Sequence, residues 1–168
     1  MAKLVWAVFC ERAVVDSATN SLTLVNTMEE IHVPKPTPES LKAAAGRPLA
    51  VRAGFSIVTN WERTKGDRGN RPLQILLRLL DPHGQKRSEG QQRLEFGKST
   101  RGRAIANLEG LPISIEGRYV WRIYVGAANK SWKSVGEIPY ALSFIKSDAE
   151  LKKLTKSARR SAADMFKS

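Results

Sequence analysis

The chain holds one cysteine, two histidines and no apolar run near the length of a bilayer, in 168 residues. A membrane-spanning helix needs about 20 consecutive apolar residues, so none is expected. One cysteine, Cys10, excludes an internal disulfide framework and suits a reducing compartment. Neither His32 nor His83 stands at metal-ligand spacing from a Cys, a second His or a carboxylate, so no metal is expected. His32 alternates with Ile31 and Val33 and should lie on the open face of a strand, whereas His83 falls in a turn. Phosphate-cradling loops are missing too: there is no Gly-x-x-x-x-Gly-Lys-Ser/Thr, and no Gly-x-Gly-x-x-Gly follows a strand. As a nucleophile Cys10 would need a partner base. It lies inside the apolar run of residues 4–10, where a buried, inert thiol is expected. Glu29, Glu30 and Asp67 read as solvated acids. The expectation is a protein that is not an enzyme and carries no cofactor.

The same N-terminal run invites comparison with a secretion signal. Only Lys3 precedes it, Glu11 and Arg12 end it, and no small-x-small cleavage site follows, so a buried central strand and a cytoplasmic location are expected.

What is present in excess is positive charge. Lys and Arg total 28 against 16 Asp and Glu, a formal net charge of +12. The excess is uneven. Residues 1–50 balance five bases with five acids, residues 51–100 set ten against five, and residues 101–168 set thirteen against six. Such asymmetry favours a polyanionic partner, nucleic acid first.

Period-two segments bounded by turn residues dominate the pattern. Residues 21–33 start with Leu22 and Leu24 on one parity and finish with Ile31 and Val33 on the other, which calls for a bulge or break. Pro34, Pro36 and Pro38 open a loop in which residues 39–45 form one or two helical turns. Leu49, Val51, Ala53, Phe55 and Ile57 make one inward stripe. A second is Leu73, Ile75, Leu77 and Leu79, closed by the turn at residues 81–84. Residues 91–96 and 103–108 are weaker strands, flanking a hairpin loop at residues 98–102. Tyr119, Trp121, Ile123 and Val125, then Ile138, Tyr140, Leu142 and Phe144, complete the set. Seven or eight short strands predict a mostly-β chain, a single β-sandwich of Ig-like or C2-like kind over residues 1–146. Gly117-Arg118-Tyr119 has the form of a tyrosine corner.

Residues 147–168 read as a C-terminal basic amphipathic helix. Ser147 and Glu150 match a capping box. Leu151, Leu154, Ala158 and Ala162 recur at helical spacing, and Lys152, Lys153, Lys156, Arg159 and Arg160 fill the other faces. This tail is a candidate interaction element, first for its own domain, next for another protein or a second copy of the chain, and third for a membrane surface, for which Phe166 is its one bulky anchor.

Two clusters carry the binding hypothesis. Inward parity places Arg52, Arg78, Arg118 and Arg122 on outward strand faces with Tyr124 among them. Guanidinium groups grip phosphate and a ring can stack on a base. The loop at residues 60–71 offers Trp61 with Arg63, Lys65, Arg68 and Arg71, and Trp132 lies between Lys130 and Lys133 in a smaller version. The rival expectation is a protein-interaction or assembly subunit acting through the sandwich edge and the tail.

Residues 4–11 (Leu-Val-Trp-Ala-Val-Phe-Cys-Glu), residues 22–26 (Leu-Thr-Leu-Val-Asn) and residues 117–125 (Gly-Arg-Tyr-Val-Trp-Arg-Ile-Tyr-Val) stand together over residues 3–146. In this the chain resembles an uncharacterised family of small bacterial proteins, which have an N-terminal apolar strand ending in Cys-Glu and a later Gly-x-Tyr strand. The resemblance implies a single β-sandwich and transfers no functional residue, since the family has no assigned activity. The basic loop at residues 60–72 and the helical tail depart from its pattern.

Overall fold

Alternation such as Phe55, Ile57, Trp61 or Tyr119, Trp121, Ile123 makes one face of a strand apolar and demands a second apolar face to close on. The computed structural model describes residues 2–43, 49–51, 53–64, 72–113, 115–126 and 131–145. Within them eleven strands and one short helix meet that demand. In chain order these are β1 (Lys3–Val15), β2 (Leu22–Thr27), β3 (Glu30–Pro34), α1 (Pro38–Ala43), β4 (Leu49–Val51), β5 (Phe55–Glu62), β6 (Leu73–Leu80), β7 (Lys86–Leu94), β8 (Arg101–Leu108), β9 (Leu111–Ile113), β10 (Gly117–Gly126) and β11 (Lys133–Ile145). They form a four-stranded sheet in the order β2-β1-β5-β8, a five-stranded sheet in the order β3-β11-β10-β6-β7, and a small β4-β9 pair. Neighbours run antiparallel except β11 and β3. The protein is mostly β and its curled sheets are consistent with a β-sandwich.

Both large sheets feed one core. Phe9, Ile57 and Trp61 enter from the first, and Ile75, Leu79, Trp121, Ile123 and Leu142 from the second, each at most 2% exposed. Phe9, Tyr140 and Tyr119 form a chain of rings with centroids 5.2 and 5.5 Å apart. Such pairs add about 0.5–1.5 kcal/mol each beyond the area they bury.

The predicted break in residues 21–33 falls at Met28 and Glu29, where the chain leaves the first sheet for the second. Three expectations need correction. The stripe at residues 49–57 is two strands in different sheets, β4 and β5, because the chain breaks at Ala53 and Gly54. The strands at residues 91–96 and 103–108 are not a hairpin: β7 edges the five-stranded sheet and β8 the four-stranded one, so their connection crosses from one sheet to the other. The strand count exceeds eight because residues 21–33 and 49–57 each form two strands and because β9, at three residues, is too short to show a period. The tail at residues 147–168 lies outside the described residues.

Tyr119 makes the tyrosine corner. Its hydroxyl donates to Ile115 O at 2.9 Å and accepts from Ile115 N at 3.4 Å. Gly117 sits at φ 134°, and a Cβ there would stand 2.8 Å from Pro82 Cγ, so glycine starts β10 for two independent reasons.

β1 and β11 each change partner midway. Residues 3–10 of β1 pair with β5 and residues 10–15 with β2. Residues 133–142 of β11 pair with β10 and residues 141–145 with β3. Between the switches, one edge of each strand faces the other sheet across a gap.

Candidate functional site

On the outward face of the five-stranded sheet, Arg122 is the register partner of Arg78, and Tyr124 stands one outward position further along β10. The structure brings these three predicted residues together, with the Arg78 guanidinium 5.1 Å from the Tyr124 ring centroid. It also brings acids that strand-by-strand reading did not include. Arg122 pairs with Glu137 on β11 and Arg78 with Glu89 on β7, so the rung reads Glu137, Arg122, Arg78, Glu89 across four strands. Arg122 Nε stands 2.7 Å from Glu137 Oε1, and Arg78 grips Glu89 Oε2 through Nη2 at 2.7 Å and Nε at 2.8 Å. The Arg78 hydrogen bond holds Glu89 below the usual carboxylate range against a burial effect that would raise it, and Lys86 at 3.6 Å adds to it. Glu137, then Tyr124, holds Arg122 more firmly protonated. These guanidiniums are already satisfied.

Arg118 differs. It is exposed on the same face, across from Ala141, and among the described residues it has no hydrogen bond or ion pair. Arg52 lies outside the described residues, as do Lys65, Arg68 and Arg71 of the loop and Lys152, Lys153, Lys156, Arg159 and Arg160 of the tail.

Trp61 is the main correction. It is no loop residue but the last inward position of β5, fully buried, with its indole N–H donating to Thr59 Oγ1 at 2.8 Å. Neither ring face is open for stacking. The signal was present, because the alternation of Phe55 and Ile57 runs on through Thr59 to Trp61. Trp132 is half-buried against Gly126, where a Cβ would meet its ring at 2.9 Å.

Topology assembles a basic end that reading along the chain did not anticipate. The connection from β5 to β6 leaves at Arg63 and returns at Pro72, while the connection from β7 to β8 crosses at residues 95–100. The two meet: Arg63 N–H donates to Thr100 O at 2.8 Å, and its guanidinium lies 4.9 Å from the Phe96 ring centroid. Residues 62–72 and 93–103 together hold eight bases against three acids. The acid contacts described there are Glu95 with Arg93 at 3.0 Å and a long 3.9 Å approach of Glu62 to Arg101, all on exposed side chains and therefore weak. Arg103 bonds Asn20 instead, at 2.7 Å to Oδ1.

The remaining chemistry-bearing groups act locally. Cys10 is fully buried, its Sγ 3.6 Å from Ser56 O, and burial pushes its thiol up. His32 is part-exposed, with Nδ1 2.6 Å from Ser143 Oγ. Burial would raise Asp81, but the Gln85 and His83 amides and the Arg87 guanidinium, at 2.6 to 2.9 Å, together hold it low. It organises the β6–β7 turn. Among the described residues no three His, Cys, Asp or Glu side chains group to hold a metal, and no helix is long and apolar enough to cross a membrane.

No protein-family model matches this chain, and no curated protein matches it. Among solved structures it is similar to the Bifidobacterium dentium β-glucuronidase complexed with coumarin-3-O-glucuronide, at 6% identity and a TM-score of 0.39. The match covers 85% of this chain and 18% of the enzyme. A likeness at that level transfers neither activity nor site residues.

Proposed function

We propose that this chain is a non-enzymatic binding module for an anionic partner, nucleic acid foremost, and that the basic end rather than the arginine face makes the contact. The observation that supports this is the meeting of two sheet-crossing connections, which among the described residues gathers Arg63, Arg93, Lys98, Arg101 and Arg103 with only Glu62 and Glu95. Arg63 and Lys98, which have no ion pair among the described residues, meet phosphates without first giving up a carboxylate, whereas Arg78 and Arg122 must release Glu89 and Glu137. Binding of this kind is largely independent of sequence and weakens steeply with salt, because each neutralised phosphate releases counterions.

The test is fluorescence anisotropy with a labelled single-stranded oligonucleotide, titrated from about 50 to 200 mM salt, a range that separates phosphate contacts. Arg63→Gln with Arg101→Gln should weaken binding and lower the salt slope by about one for each phosphate no longer neutralised. Arg78→Gln with Arg122→Gln removes the same charge and should leave the slope unchanged. Equal effects would mean a response to net charge alone, and no binding at the lowest salt would end the nucleic-acid reading.

A second reading, a protein-interaction module, is favoured by the open strand edges of β1 and β11.

A further inference from the structure

The run at residues 4–10, expected to form a buried strand, turns one large ring to solvent. In a regular strand Leu4 and Trp6, two residues apart, would share the core face. The β1–β5 ladder shifts between them: Leu4 faces Trp61 and Trp6 faces Asn60, with Val5 as the extra residue of a bulge. Leu4 therefore packs on the core, and Trp6 is re-aimed to the outer face of the four-stranded sheet, where it is 36% exposed. Among the described residues it is the one aromatic side chain in the exposed apolar set, the others being valines.

Register surrounds that ring with cations. Across β1, β5 and β8 one rung reads Trp6, Asn60, Arg103 and the next reads Lys3, Glu62, Arg101. Two strand spacings set Arg103 about 10 Å from Trp6. Its Nη2 donates to Asn20 of the β1–β2 turn, at 2.7 Å to Oδ1 and 3.2 Å to O. Both acceptors are neutral, so the guanidinium is held in place with its charge intact. Lys3 is exposed and has no ion pair among the described residues. Glu62, the one acid of the two rungs, stands 3.9 Å from Arg101 with both side chains exposed, a weak contact. One residue beyond Glu62 the chain enters the basic end at Arg63.

We propose that this face is a base-stacking platform beside the basic end, and that the partner is therefore single-stranded nucleic acid. One unpaired base lies on the Trp6 ring while Lys3, Arg101 and Arg103 take the flanking phosphates. Stacking on a side chain needs a base whose own face is free. Inside a duplex both faces of every base are covered, and exposing one requires unstacking it first. Every base has a π-face, so the platform selects strandedness and not sequence. The inference rests on the nucleic-acid reading and adds to it a residue that a purely electrostatic contact does not use.

The probes are an oligothymidylate of about 12 nucleotides, within the range such sites cover, and a DNA duplex of the same length, each titrated with the full chain from about 50 to 200 mM salt. The single strand should bind tighter, although charge alone favours the duplex with its denser phosphates. Trp6→Thr, which keeps a strand-forming residue, should weaken single-strand binding about five- to a hundredfold. It should do so at every salt concentration with the slope unchanged, because stacking releases no counterions. Arg101→Gln should instead lower the slope by about one. The single strand should also quench tryptophan emission, and Trp6→Phe should abolish the quenching while keeping affinity within a few-fold. Quenching that survives in Trp6→Phe overturns the platform, whatever the stability of Trp6→Thr. If the duplex binds as tightly, or if Trp6→Thr has no effect while Arg63→Gln with Arg101→Gln weakens binding, the nucleic-acid reading stands and the platform is overturned. A dimer that Trp6→Thr dissociates in sedimentation, with affinity unchanged, would assign the face to a second copy instead. If neither probe binds at the lowest salt, the nucleic-acid reading and the platform fall together.

Discussion

Two regions are rich in arginine and differ in what those arginines are free to do. On the β10–β6 face, register sets Arg122 and Arg78 side by side and places Glu137 and Glu89 at either end of the rung. At the basic end, Arg63 and Lys98 sit on connections that cross between sheets, and of the strand cations beside them Arg101 faces an acid, Glu62, while Arg93 and Arg103 face Gln74 and Asn60. An ordered sheet neutralises its own charges through cross-strand pairs, each contributing roughly 0.2–1 kcal/mol. A crossing connection has no such partner rung, so its charge remains for a ligand.

The largest effect should separate core from contact. Trp61→Ala should cost about 3–5 kcal/mol in chemical denaturation, while Trp61→Phe should keep oligonucleotide affinity within about twofold. A drop in affinity at unchanged stability would return Trp61 to the binding surface.

Next comes a charge that is paired and buried. Asp81→Ala should cost about 2–3 kcal/mol, since three donors are left without a charged acceptor. The folded state holds the Asp81 carboxyl below its unfolded value near 3.9. Its stabilisation is therefore complete above that value and fades as pH falls through the lower folded one. Denaturation midpoints should drop more steeply in acid for the wild type than for Asp81→Asn.

A smaller effect tests the rung itself. Arg78→Glu sets like charges opposite Glu89 and should destabilise by about 1 kcal/mol, whereas Arg63→Glu should change stability little and weaken oligonucleotide binding. The reverse pattern would exchange the roles of the two regions.

The smallest concerns Cys10. Replacing it by Ala removes one buried sulfur, worth about 0.8 kcal/mol by analogy with a methylene, and should leave binding untouched. A thiol reagent should react slowly with the native protein, since burial disfavours the thiolate; a fast reaction would contradict that.

Much of the fold was legible because a half-buried strand writes its orientation in period two. Tyr119, Trp121 and Ile123 point inward and Arg118, Arg122 and Tyr124 outward, as their parity required. The break near Met28 was legible for the same reason, as a change of parity. The split of residues 49–57 was not, because Ala53 keeps parity with Val51 and Phe55 although the chain changes sheets there. Of the candidate site, the presence of Arg78, Arg122 and Tyr124 on one face could be read, but the acids that neutralise two of them could not. Glu89 and Glu137 stand 11 and 15 residues from their partners, and only strand order and register set them opposite.

What the sequence determined by itself was composition and periodicity: a mostly-β chain, a +12 charge weighted away from its first fifty residues, and the inward set of side chains. These are one-dimensional properties, settled by which residue follows which. The tertiary structure alone decided which charges are satisfied, which connections meet at the basic end, and which edges of β1 and β11 stay unpaired. Each depends on the register between strands distant in sequence. The alternation within a strand says which face is buried, and it is silent about which neighbour lies alongside.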